Sequence, residues 1–109
     1  MAGEPAALDD VANELATWPG VRLERQTNGR VTVLYEQSEL GILDPERELI
    51  ELPFLGEERD SLIEHGDAEP ADATPDSVGV SHDVRGPSDV TAALELFDRR
   101  YHDLRGDTT

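Results

Sequence analysis

The sequence has no lysine and no cysteine. Without cysteine there are no disulfides, no thiolate nucleophile and no Cys-ligated zinc. The 9 basic residues are all arginine, and 25 Asp and Glu outweigh them to a net charge of −16. That balance argues against nucleic acid as a partner, because phosphate binding draws on clustered Lys and Arg. Long apolar runs are missing too. Nothing approaches the roughly 20 consecutive apolar residues of a membrane helix, and the acidic N-terminus is unlike a signal peptide. The expectation is a cytoplasmic chain with no membrane partner. Aromatic residues make up only 5% of the chain, which with so much net charge would ordinarily signal disorder. Clear helical and strand periodicity argues otherwise. A lysine-free, acid-rich but patterned composition instead fits a cytoplasm of molar salt, where the Debye length falls to about 3 Å and self-repulsion is largely screened. The expected source is an extreme halophile of archaeal type.

The clearest pattern lies in the last third of the chain. Val90, Ala93, Leu94, Phe97, Tyr101 and Leu104 recur at spacings of three and four, so they share one helical face, with Leu96 and Arg100 at its margins. Gly86-Pro87-Ser88-Asp89 supplies the start, with proline in the first turn and Asp89 at the positive end of the helix dipole. Gly106 supplies the stop. The expected helix runs from Ser88 to Leu104. Near the N-terminus, Leu8, Val11, Ala12 and Leu15 give a shorter amphipathic helix ended by Pro19-Gly20, and Trp18 is expected to plug one end of the core.

Between these helices the period becomes two. Val21 and Leu23 alternate with Arg22 and Glu24, Asn28-Gly29 marks a hairpin, and Val31, Val33 and Tyr35 continue the alternation. Further strands are expected over Glu39–Leu43 and Glu48–Leu52, joined by a turn at Asp44-Pro45-Glu46-Arg47. A second helix over Glu57–His65 is closed by Gly66, and an aperiodic loop covers Asp67–Asp76 with a brief strand near Ala68-Glu69. A strand then carries Val78, Val80 and His82 on one face. The predicted fold is a single α+β domain over residues 8–105, between a frayed segment 1–7 and a tail 106–109. Its largely antiparallel sheet has about five strands, with three helices in the order α-β-β-β-β-α-β-α.

Several short motifs then suggest a family. Trp18-Pro19-Gly20-Val21, Glu39-Leu40-Gly41, Leu52-Pro53-Phe54 with Arg59, Gly66-Asp67-Ala68-Glu69-Pro70, Pro75-Asp76-Ser77, Val80-Ser81, and Arg85-Gly86-Pro87 with Asp89-Val90 follow one another in the order of the luciferase-like family. From about Trp18 to Leu104 the chain resembles that family, whose members are mostly of unknown function and whose name implies no light emission. Members often carry a histidine after the Glu-Leu-Gly, others before the Pro-Asp-Ser and a Gly-Trp after that serine. Here those places hold Ile42, Ala71-Asp72-Ala73-Thr74 and Val78-Gly79. The resemblance therefore implies a small binding or accessory module, without histidine-dependent chemistry and without a cofactor.

The polar residues of the matching stretches form the candidate ligand site. In the alternative reading, an enzyme or sensor for a small anionic molecule, Arg85 would hold the ligand, with Asp76 and Ser81 along the same sheet edge and Arg59 in the same patch. The ordinary reading of these residue types is turn bonding by Asp76 and Ser77, with Arg85 paired to a carboxylate. No metal site is expected. Asp98 and His102 have a usable i, i+4 spacing, but His102 suits the negative end of its helix, His65 precedes a helix-ending glycine, and no HExxH-like pattern exists. Ser81-His82-Asp83 is not a catalytic triad, because adjacent strand residues point to opposite faces. No glycine-rich phosphate loop is present and no catalytic residue is assigned. The expected partner is an unidentified small molecule or protein.

Overall fold

Turn chemistry sets the sheet. After the first helix, α1 (Ala7–Leu15), Gly20 takes a left-handed conformation that turns the chain into β1 (Val21–Arg25), and a three-residue loop, Thr27-Asn28-Gly29, returns it as β2 (Val31–Tyr35). The Gln26 N–H closes that loop on the Arg30 carbonyl at 2.7 Å, and the Asn28 side-chain oxygen accepts the Arg30 N–H at 3.0 Å. Glu36-Gln37 makes the next turn, into β3 (Ser38–Asp44), and Pro45–Glu48 leads to β4 (Leu49–Leu52). The computed structural model describes residues 7–54, 56–70 and 79–106. Most of the expected frayed segment 1–7, most of the loop before Asp76, Asp76 itself, Val78 and the tail beyond Gly106 lie outside them.

The remaining elements are α2 (Gly56–Glu64), the two-residue β5 (Glu69–Pro70), β6 (Val80–Asp83) and α3 (Pro87–Arg105). The strands form one six-stranded antiparallel sheet in the order β1-β2-β3-β4-β6-β5. This is the α+β architecture expected from the period changes, with the brief strand realised at β5.

The pairing register sorts side chains into two faces. Leu23, Val33, Gly41, Leu52 and Val80 lie in one row, which faces α1 and α3. Thr32, Ile42, Glu51 and Ser81 form a row on the opposite face. A bulge opposite Val33-Leu34 leaves Leu40 without a partner and turns it, fully buried, into the core. On the face away from the helices Arg30 spans three strands. Its Nε lies 3.4 Å from the Asp44 carboxylate and its Nη2 3.0 Å from Glu51, close enough for ion pairs but without hydrogen-bond angles.

Helix α3 closes the core through Ala93, Leu96, Phe97 and Tyr101. Leu96, placed by its spacing at the margin of the stripe, is only 4% exposed. The correction has a packing cause: Leu62 of α2 and Leu96 line the same groove, so α3 is covered on a second side. Arg100, at the other margin, is half-buried and donates to the Glu39 carbonyl at 2.9 Å. Trp18 packs against the core as expected, with its ring centroid 5.0 Å from that of Tyr101. Gly106 ends the helix in the left-handed conformation that favours glycine. Among the described residues no helix is long and apolar enough to cross a membrane.

Candidate functional site

The described residues of the predicted site, Arg59, Ser81 and Arg85, each take a definite place. Arg59, on α2, donates through Nε to the Gly79 carbonyl at 3.1 Å, fastening α2 to the start of β6, and its Nη1 lies 3.9 Å from Asp60. Ser81 is buried on the sheet face away from the helices, with its hydroxyl 3.5 Å from the Pro70 carbonyl. Arg85 is exposed at the corner before α3. Its backbone N–H engages a carboxylate: Asp89 accepts it at 3.0 Å and the Gly86 N–H at 3.3 Å. Arg59, Ser81 and Arg85 thus engage different partners among the described residues, and Asp76 lies outside them.

Beside this corner runs a groove of about 210 Å³ lined by Gly66, Ala68, Glu69, His82, Asp83 and Asp89. His82 shares the helix-facing side of β6 with Val80, and its Nε2 lies 4.0 Å from the Asp89 carboxylate. The Asp89 carboxyl is held below its ordinary 3.8, first by the Arg85 N–H and then by the Gly86 N–H and the charges of His82 and Arg85, against the opposing effect of burial. Three carboxylates make this groove unsuited to an anion. Among the described residues no three His, Asp or Glu side chains gather closely enough to hold a metal ion. His102 instead pairs with Asp98 at 3.1 Å on the exposed side of α3, and the ring of His65 lies 2.8 Å from the Ser61 carbonyl of its own helix.

A second opening lies on the other side of the molecule. A cleft of about 200 Å³ separates α1 from the ends of β1, β2 and β3, with Leu8 and Ala12 on the helix side and Leu23, Val31, Leu43 and Pro45 on the sheet side. Asp9 and Arg25, both exposed, complete its lining. Among the described residues no hydrogen bond or ion pair engages the Arg25 guanidinium. Sequence reasoning did not single out these residues, but one signal was present. Arg25 occupies the inward phase of β1, in step with Val21 and Leu23, where an alternating strand ordinarily carries an apolar residue.

Comparison with protein families, with curated proteins and with solved structures finds no match to the chain.

Proposed function

We propose that the chain is a small binding module of the luciferase-like kind, adapted to a salt-rich cytoplasm, whose ligand occupies the cleft between α1 and the sheet. The observation that carries this reading is the cleft's division of chemistry. Its walls are aliphatic, while one cation, Arg25, and one anion, Asp9, belong to its lining. Apolar concavities with a few polar groups are the usual form of small-molecule sites. At about 200 Å³ it is smaller than the roughly 300–1,000 Å³ that hold drug-sized ligands, so the ligand is correspondingly small. The complementary molecule is a short aliphatic zwitterion: its carboxylate meets Arg25, its ammonium group meets Asp9 and its chain lies against Leu8, Leu23 and Leu43.

The test is a titration of the isotope-labelled protein in high salt with norleucine, hexanoate and hexylamine. Norleucine is expected to shift the amide resonances of Leu8, Leu23 and Arg25 with a dissociation constant on the order of 1 mM, a modest affinity suited to so few atoms. Arg25→Gln should weaken norleucine and hexanoate but not hexylamine, and Asp9→Asn should do the reverse for the two monovalent probes. Perturbation confined to residues outside the cleft, or no perturbation by any probe, overturns the assignment.

A further inference from the structure

The hydrogen-bond ladder determines which groups of the edge strand β1 are unpaired among the described residues. Gln26 N–H donates to the Arg30 carbonyl and Glu36 N–H to the Gly20 carbonyl. In an antiparallel ladder bonded and non-bonded pairs alternate, so Gly20, Arg22, Glu24 and Gln26 direct their backbone groups at β2. The N–H and C=O groups of Leu23 and Arg25 and the C=O of Val21 then point away from it. The Val21 N–H is occupied by the Trp18 carbonyl at 3.1 Å. Strand edges of this kind are templates for another strand unless their side chains forbid it.

Here the side chains permit it. The strand reads Val21-Arg22-Leu23-Glu24-Arg25, which is self-complementary in charge about Leu23. We propose that this edge pairs with the same edge of a second copy of the chain, antiparallel, on a two-fold axis through Leu23. In that register each Leu23 N–H donates to the Leu23 carbonyl of the other copy, and each Arg25 N–H to the other copy's Val21 carbonyl. Of the groups left pointing outward, this register uses all but the Arg25 carbonyl. Arg22 of each copy faces Glu24 of the other on the side away from the helices. Within one copy these two side chains already share a face, 3.0 Å apart and about half exposed, at 58% and 50%. Opposite charges facing each other across a ladder stabilise the pair, and like charges destabilise it. The contacts at Leu23 and Arg25 use backbone groups, and the charged pair Arg22 and Glu24 lies on the sheet face opposite the ligand cleft.

Association brings together two chains of net charge −16. Their mutual repulsion acts over about 10 Å at 0.1 M salt and about 3 Å at 1 M, so the dimer tightens as salt rises. Sedimentation and light scattering in molar potassium chloride are expected to give twice the 12.0 kDa of one chain. Arg22→Glu places two carboxylates opposite each other at both ends of the interface, Glu24→Arg does the same with two guanidinium groups, and each should weaken dimerisation at least about tenfold. The double exchange, Arg22→Glu with Glu24→Arg, restores the complementarity and should restore the dimer. Both positions are exposed, and circular dichroism of each variant checks that it folds. Hydrogen exchange should protect the Leu23 and Arg25 amides only in the dimer. A wild-type monomer at all concentrations overturns the proposal. So does a dimer indifferent to the single exchanges, or a double exchange that stays monomeric.

Discussion

The Tyr101 hydroxyl donates a 2.7 Å hydrogen bond to the Pro19 carbonyl, joining the last helix to the turn that follows the first. The ring is 5% exposed, with Trp18 tilted against it and Tyr35 meeting it edge-on at 5.2 Å. Removing only the hydroxyl, in Tyr101→Phe, should cost about 1 kcal/mol. Tyr101→Ala, which also empties the aromatic cluster, should cost about 3–5 kcal/mol. Urea unfolding in high salt separates the two effects, and equal losses for both variants would show that the ring packs nothing.

Gly41 of β3 packs directly against Phe97 of α3. A β-carbon there would stand 2.6 Å from the Glu51 carbonyl oxygen and 2.8 Å from the Phe97 ring. Because one of those neighbours is backbone, a rotamer change cannot relieve it. Gly41→Ala should destabilise by about 1–3 kcal/mol, and adding Phe97→Leu should fail to recover the full loss. A double-mutant cycle by chemical denaturation checks both statements.

Glu36 heads the β2–β3 turn with φ of 57°, a left-handed conformation unfavourable for a residue with a β-carbon. Glu36→Gly should therefore gain roughly 0.5–1 kcal/mol, strain relief exceeding the added freedom of the unfolded chain. An unchanged or lower midpoint in thermal unfolding contradicts this.

Asp89 gives the fold a pH dependence of known sign. Its folded-state pKa lies below the ordinary 3.8, so the folded form binds its proton more weakly than the unfolded form. The stabilisation is complete above the unfolded value and is lost as pH falls through the folded one, below about pH 4. Asp89→Ala should lower the melting temperature at neutral pH, and the gap from wild type should narrow as the solution is acidified. A gap constant from neutrality to acid would assign the role of Asp89 to packing.

Salt should matter globally. With 25 acids against 9 bases, self-repulsion grows as screening is withdrawn. Circular dichroism is expected to show loss of structure as potassium chloride is lowered from about 3 M to about 0.1 M. Full folding without added salt would refute this.

The architecture was legible because period and turn chemistry agree. Asn28-Gly29 and the alternation through Val31, Val33 and Tyr35 specify a hairpin by local rules, and the Val90–Leu104 spacing specifies a helix. Leu96 was misplaced because its burial depends on α2, which sequence spacing within α3 does not register. The candidate site was less legible. Arg59, Ser81 and Arg85 come from successive matching motifs, but the Arg59 guanidinium is committed to the Gly79 carbonyl and the Ser81 side chain lies on the sheet face away from the helices. Conversely, Leu8, Leu23, Val31 and Leu43 read as core residues, and only the fold shows that they border an opening. Within β1, Arg25 broke the inward apolar alternation.

The packing of α1 against α3 has a consequence for synthesis on the ribosome. Strands β1 to β3 each pair with the strand next in sequence, so the β1–β4 meander can form as soon as it emerges. Its inner side, carrying Val33, Leu43, Ile50 and Leu52, is only partly covered, by α1, until Phe97 and Tyr101 arrive. Core closure thus waits for the last described element, and a nascent chain stalled before α3 would present an apolar sheet face to whatever protein binds emerging polypeptides.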